Sequence, residues 1–162
     1  MTEQKKKVKT CKDTDYLFIS AFLRAREPQL LRREKAERML ASSVQEAARI
    51  LEGCGYADVL SVGLDRALND RRTAVFDDLE AIAPKDGIVS LFRMRYDYHN
   101  AKTIVKAEAM GTDPLPLMSG AGREKPEALL AAYNEDRCKD LPGLLGDAMT
   151  EAKSVLARSA NP

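Results

Sequence analysis

Between Gly87 and Gly111 stand 23 consecutive residues, Ile88 to Met110, with neither glycine nor proline among them. Such a run predicts a single helix of about 35 Å, and a helix of that length needs several others to cover it. Leu91, Met94, Tyr98, Ala101, Val105 and Glu108 follow steps of three and four along it. That spacing predicts a nearly continuous apolar stripe and a central place in the fold. Asp86-Gly87 precedes the element and Gly111 ends it.

The rest of the chain repeats the helical period in shorter pieces. Asp13-Thr14-Asp15 can cap a helix from Tyr16 through Leu17, Ile19, Ala21, Phe22 and Leu23, which Pro28 must break or kink. Leu30, Leu31, Met39 and Leu40, set among charged residues, predict an amphipathic second stretch. Ser43-Val44-Gln45-Glu46 is a capping-box pattern opening a short helix that Gly53 or Gly55 can close. A further helix runs from about Leu64 to Ile82 and stops before Pro84. Gly111, Pro114, Pro116, Gly120 and Gly122 mark residues 111–123 as a loop, and Gly120 to Lys125 is read as a flexible connection. Pro126 fits the first turn of a helix through Tyr133, and Asp140-Leu141-Pro142 reads as cap and first turn of a last helix carrying Leu144, Leu145, Ala148, Ala152, Val155 and Leu156. No segment alternates as a strand must. The expected fold is all-α, a multi-helix bundle.

Composition narrows the function. Hydrophobic residues are 44% and charged residues 31% of the chain, with no Trp, the profile of a helix-rich protein. A net charge of +1 provides no field that would steer the chain to nucleic acid or an anionic membrane. Lys5, Lys6, Lys7 and Lys9 sit in a polar amino-terminus, residues 1–12, read as a solvated tail. Cys11, Cys54 and Cys138 are widely spaced and odd in number, which fits a reducing compartment better than a disulfide framework. No apolar run approaches the roughly 20 residues of a membrane span.

The patterns that carry chemistry are thin. His99 is the only histidine, mid-helix and without a second at helical spacing, so neither a catalytic triad nor a zinc site is expected. Asp77, Asp78 and Glu80 stand close to Arg71 and Arg72 and read as a charged face. Gly120 to Lys125 lacks phosphate-loop spacing and a preceding strand. No catalytic, cofactor or metal residue is assigned. Val44 to Leu51, Gly53-Cys54-Gly55 and Tyr56 to Ala67 could form a DNA-binding helix-turn-helix, but Ala57 to Asp65 is apolar and acidic where a recognition helix is polar and basic.

Tyr96, Asp97, Asn100 and Lys102 form a Y-D-x-x-N-x-K pattern that resembles the signature of the C-type stalk subunits of V-type ATP synthases and ATPases, the family called d in vacuolar enzymes. In the same order, Tyr16 to Glu27 resembles that family's Y-x-x-x-R-I-R-A-x-E helix, Met39 to Tyr56 its M-L-x-A-x-S...L...Y segment, and Asp140-Leu141-Pro142 with Glu151-Ala152 its D-L-P...E-A region. The resemblance spans about Asp13 to Pro162. It implies a non-catalytic rotor subunit of related helical modules around a funnel, seated between the D and F proteins of the central stalk and the membrane rotor ring. It also implies a cytoplasmic place, peripheral to the membrane through those partners, in ATP-linked proton or sodium ion transport.

On that resemblance the chain divides into a first module of about 13–83 and a second, with the long helix, of about 86–162. Three modules of about 100 residues would make the family roughly twice this length, so a final module is expected to be absent and the apolar patch it leaves to favour non-native homodimers. A buried Asp97 would be costly without a partner, and Arg24 or Arg26 of the first helix is the expected one. Two other readings stand beside this one: a generic helical adaptor that shares only bundle patterning, and the helix-turn-helix regulator.

Overall fold

A computed structural model describes residues 11–84 and 87–159. Among them there are eight α-helices and no strand: α1 Leu17–Arg26, α2 Arg33–Leu40, α3 Val44–Gly53, α4 Val59–Val62, α5 Leu64–Ile82, α6 Ile88–Met110, α7 Pro126–Asn134 and α8 Leu144–Ser159. The two longest, α5 and α6, have the bounds expected from the sequence. The chain divides into two compact units between Val89 and Ser90.

In the first unit, α1 is entered through a 3₁₀ turn, Asp13–Tyr16, rather than a side-chain cap on its own first residue. Asp15 takes the Lys12 amide at 3.0 Å, satisfying a donor that the turn would otherwise leave open. Pro28 ends α1 in a second 3₁₀ turn, Glu27–Gln29, and Leu30 turns extended before α2. The Ser43 cap forms as expected, its hydroxyl accepting the Glu46 amide at 3.3 Å. The segment offered as a recognition helix is a single turn, α4, stopped by Gly63 at φ +87°. A one-turn element cannot lie along a DNA groove, and the helix-turn-helix reading ends there. Arg26 reaches across 52 residues to Asp78 at 2.5 Å and lies over the Phe22 ring at 4.2 Å, tying α1 to α5. Between those helices lies a cleft of about 520 Å³ walled by Phe22, Leu23, Leu31, Leu68, Val75 and Leu79.

The second unit has the better-filled core. Ile104, Leu129, Tyr133, Leu145 and Met149 are almost wholly enclosed, with Ala101, Met118 and Cys138 beside them. Each large aliphatic buried this way contributes about 1.5–3 kcal/mol. Lys153 seals one edge: its ammonium donates to the Tyr133 carbonyl at 2.7 Å, pairs with Asp136 at 2.6 Å and sits 4.7 Å from the Tyr133 ring centre.

Two expectations need correction here. Asp140-Leu141-Pro142 is not the first turn of α8. Asp140 closes a 3₁₀ turn from Cys138, Leu141 is extended at ψ 148°, and the helix starts only after Gly143 at φ +61°. Pro142 is the cause, because its ring drives the preceding residue out of the helical region. The apolar stripe of α6 is also displaced. The residues it buries are Arg93, Asp97, Asn100, Ala101, Ile104 and Ala107, while Leu91 is 61% exposed. The Asp86 placed before this helix lies outside the described residues, as do Lys5, Lys6, Lys7 and Lys9 of the basic amino-terminus.

Candidate functional site

Arg93, Asp97 and Asn100 follow one another at steps of four and three, which sets three polar side chains on one face of α6. All three are buried. Polar groups so placed must be matched by hydrogen bonds or cost several kcal/mol each, and the matching groups come from the backbone of residues 118–124.

Asp97 is wholly enclosed. One carboxylate oxygen, Oδ1, accepts the amides of Arg123 at 2.8 Å and Glu124 at 3.2 Å. The other, Oδ2, takes the Arg123 guanidinium Nε at 2.6 Å. One turn on, Asn100 donates through Nδ2 to the Ser119 carbonyl at 2.8 Å and accepts the Ser119 amide on Oδ1 at the same distance. Arg93 donates from Nε to the Gly122 carbonyl at 3.1 Å. The Ser119 hydroxyl then takes the Ala121 amide at 3.3 Å. Gly122 is required by space: a Cβ there would stand 2.5 Å from Asp97 Oδ1.

This arrangement corrects two further expectations. The partner of Asp97 is Arg123, not Arg24 or Arg26. Arg26 is engaged by Asp78, and Arg24 by Glu27 at 2.9 Å. The glycine-rich connection is not slack either, since Met118, Ser119 and Ala121 are buried and α6 side chains hold the backbone at Ser119, Gly122, Arg123 and Glu124. Sequence reasoning missed Arg93, Ser119, Gly122 and Arg123. The available signal was the placing of Arg93, Asp97 and Asn100 at steps of four and three on one side of α6 with a glycine-rich loop downstream, a donor-and-acceptor set in search of exposed backbone.

Of the other two pattern residues, Tyr96 is half-buried beside this clamp and Lys102 is exposed on another side of α6. The structure therefore brings Asp97 and Asn100 together and leaves Lys102 apart. His99 faces the Leu117 carbonyl at 3.3 Å from the exposed side.

Chemically the clamp is a lock. Among the described residues no buried side-chain nitrogen or oxygen lacks a hydrogen-bond partner, and no group of three His, Cys, Asp or Glu residues is gathered in a way that could hold a metal ion. No described helix is long and apolar enough to cross a membrane. Two groups of the neighbouring core are displaced from their ordinary values. Burial, followed by the hydrogen bond it donates to Glu108, pushes the Tyr133 hydroxyl well above its ordinary value, and burial likewise raises the Cys138 thiol.

Comparison with known proteins places this architecture. The ATP synthase (C/AC39) subunit family matches residues 19–161. The C subunit of the V-type sodium ATPase of Enterococcus hirae is 29% identical over 150 residues, which cover 90% of this chain and 46% of that protein. The chain thus spans about half the length of this curated relative. No solved structure matches the chain.

Proposed function

The chain belongs to the ATP synthase (C/AC39) subunit family, and from that membership we propose that it is a non-catalytic subunit of the central stalk of a V-type ATPase or ATP synthase. In this reading it couples the soluble catalytic head to the membrane rotor ring, through the D and F proteins of the stalk, in ATP-linked proton or sodium ion transport. The observation that carries it is the family match, which runs through nearly the whole chain and takes in the Asp97 and Asn100 clamp.

The physical requirement of such a part is stiffness. A subunit that transmits torque must not let its helices slide, and the clamp answers this by fixing the 118–124 segment to α6 with directional bonds instead of apolar contact alone. On the same reading ATP chemistry and ion movement belong to other subunits, and the chain lies at the cytoplasmic face of the membrane through its partners.

Co-expression tests the proposal. A tagged chain produced with the remaining subunits of its V-type complex is expected to retrieve head and ring subunits together. Retrieval of neither, from a preparation in which the rest of the complex is assembled, would count against it.

A further inference from the structure

Within the second unit, α6 and α8 leave a groove of about 230 Å³. Ala101, Val105, Ala148, Met149 and Ala152 line it, and Lys102 and Lys106 stand along its α6 side. Two lysines four apart lie on the same side of a helix, their stems over the apolar surface and their ammonium groups free to reach beyond it. Among the described residues neither lysine enters a salt bridge or a side-chain hydrogen bond. Elsewhere in this unit Arg123, Arg137, Lys153 and Arg158 are each matched to a carboxylate, while Arg95, Lys125 and Lys139 enter no salt bridge with a described residue, so the two lysines are set apart by their place beside the groove. The clamp explains Asp97 and Asn100, but it assigns nothing to Lys102.

We propose that this groove receives an amphipathic helix of another subunit, whose apolar stripe lies on the alanine floor and whose flanking carboxylates, spaced one turn apart, meet Lys102 and Lys106. The floor sets the first half of this statement. Three alanines among the lining residues, beside Tyr98, Val105 and Met149, leave a shallow trough in which a helix can lie. Unmatched positive charge along one side sets the second half, since it selects both the sign and the orientation of what docks. A lipid surface fits less well: two lysines fall short of the roughly four to eight basic residues that hold a segment to anionic lipid. The inference rests on the reading of the chain as a subunit of a larger complex and names the kind of element it grips.

The test uses the co-purified complex. A water-soluble carbodiimide joins amines to carboxylates that already touch, and mass spectrometry of the digested complex reads both ends of each link. The expected links join Lys102 or Lys106 to Asp or Glu residues four apart on one amphipathic helix of another subunit. In the Lys102→Glu/Lys106→Glu variant retention in the complex should fall roughly tenfold, and lysines placed at the mapped partner carboxylates should restore it. The Lys102→Gln/Lys106→Gln variant, which carries no reversed charge, should lose less. An assembled complex without links at these lysines, or with links to lipid carboxylates alone, overturns the groove while leaving the stalk reading intact. A chain that retrieves no subunit overturns both.

Discussion

Asn100 reads the backbone of Ser119 in both directions, donating to its carbonyl and accepting its amide, each at 2.8 Å. A side-chain amide that pairs with a main chain in this way does the work of a neighbouring strand where no strand is present. Replacement by leucine, similar in size, would leave both Ser119 groups buried without partners at roughly 1–3 kcal/mol apiece. Asn100→Leu is expected to lower the thermal midpoint by about 10 °C or more. A midpoint within a degree or two of the wild type would show that the pair contributes little.

Asp97 and Arg123 provide a graded series. Asp97→Asn keeps an acceptor for the two amides but loses the charge opposite Arg123, a loss expected at about 3 kcal/mol for a fully buried member of a pair. Asparagine also turns an amide nitrogen toward the Arg123 guanidinium, donor against donor, whereas Arg123→Gln leaves Asp97 its two backbone amides and puts an amide donor in place of the guanidinium, so Arg123→Gln should cost less. Urea denaturation of the two variants measures the order. If Arg123→Gln proved the more damaging, the carboxylate would not be the centre of the clamp.

Glycine substitutions separate space from backbone freedom. Gly122→Ala drives a methyl against Asp97 Oδ1, and Gly146→Ala drives one into the Cys138 carbonyl beneath α8. Both should destabilise by about 1–3 kcal/mol. Gly53, the last residue of α3, has nothing within 4 Å of the Cβ position. Gly53→Ala should be neutral or stabilising by about 0.4–1 kcal/mol. Equal effects at all three positions in chemical denaturation would contradict the close approach at Gly122.

These elements differ in how far the sequence reveals them. The limits of α6 and the end of α5 were legible because Pro84, Gly87 and Gly111 act locally, whatever the rest of the chain does. Which face of α6 turns inward was not, because the cover is a loop. A helix packed on helices buries its apolar side, whereas one packed on bare backbone buries groups that can bond to it, so Arg93, Asp97 and Asn100 went inside and Leu91 and Phe92 stayed out. The start of α8 was misread for a related reason, since Pro142 fits a first turn as well as it fits the extended approach to one. The order of motifs gave the family but not the clamp, whose loop half, Ser119 to Glu124, lies outside the signature pattern.

Alkaline pH tests the core beside the clamp. The ordinary tyrosine value is 10.0, and burial with the Glu108 hydrogen bond holds the Tyr133 hydroxyl well above it in the folded chain. The folded state therefore keeps a proton that the unfolded state gives up. Stability from this group is fully present below about pH 10 and is lost as pH rises from there toward the folded value. Tyr133→Phe should be less stable at pH 7 yet flatter above pH 10 in denaturant titrations. An alkaline slope unchanged by the substitution would assign it to other groups.

The stalk assignment itself is tested most directly by calorimetric titration of the chain into a purified complex of the D and F stalk proteins. Saturable binding by the chain with a stoichiometry of one is the predicted result, and it would put part of the docking surface within these residues. Absence of heat with a chain shown to be folded would contradict the account.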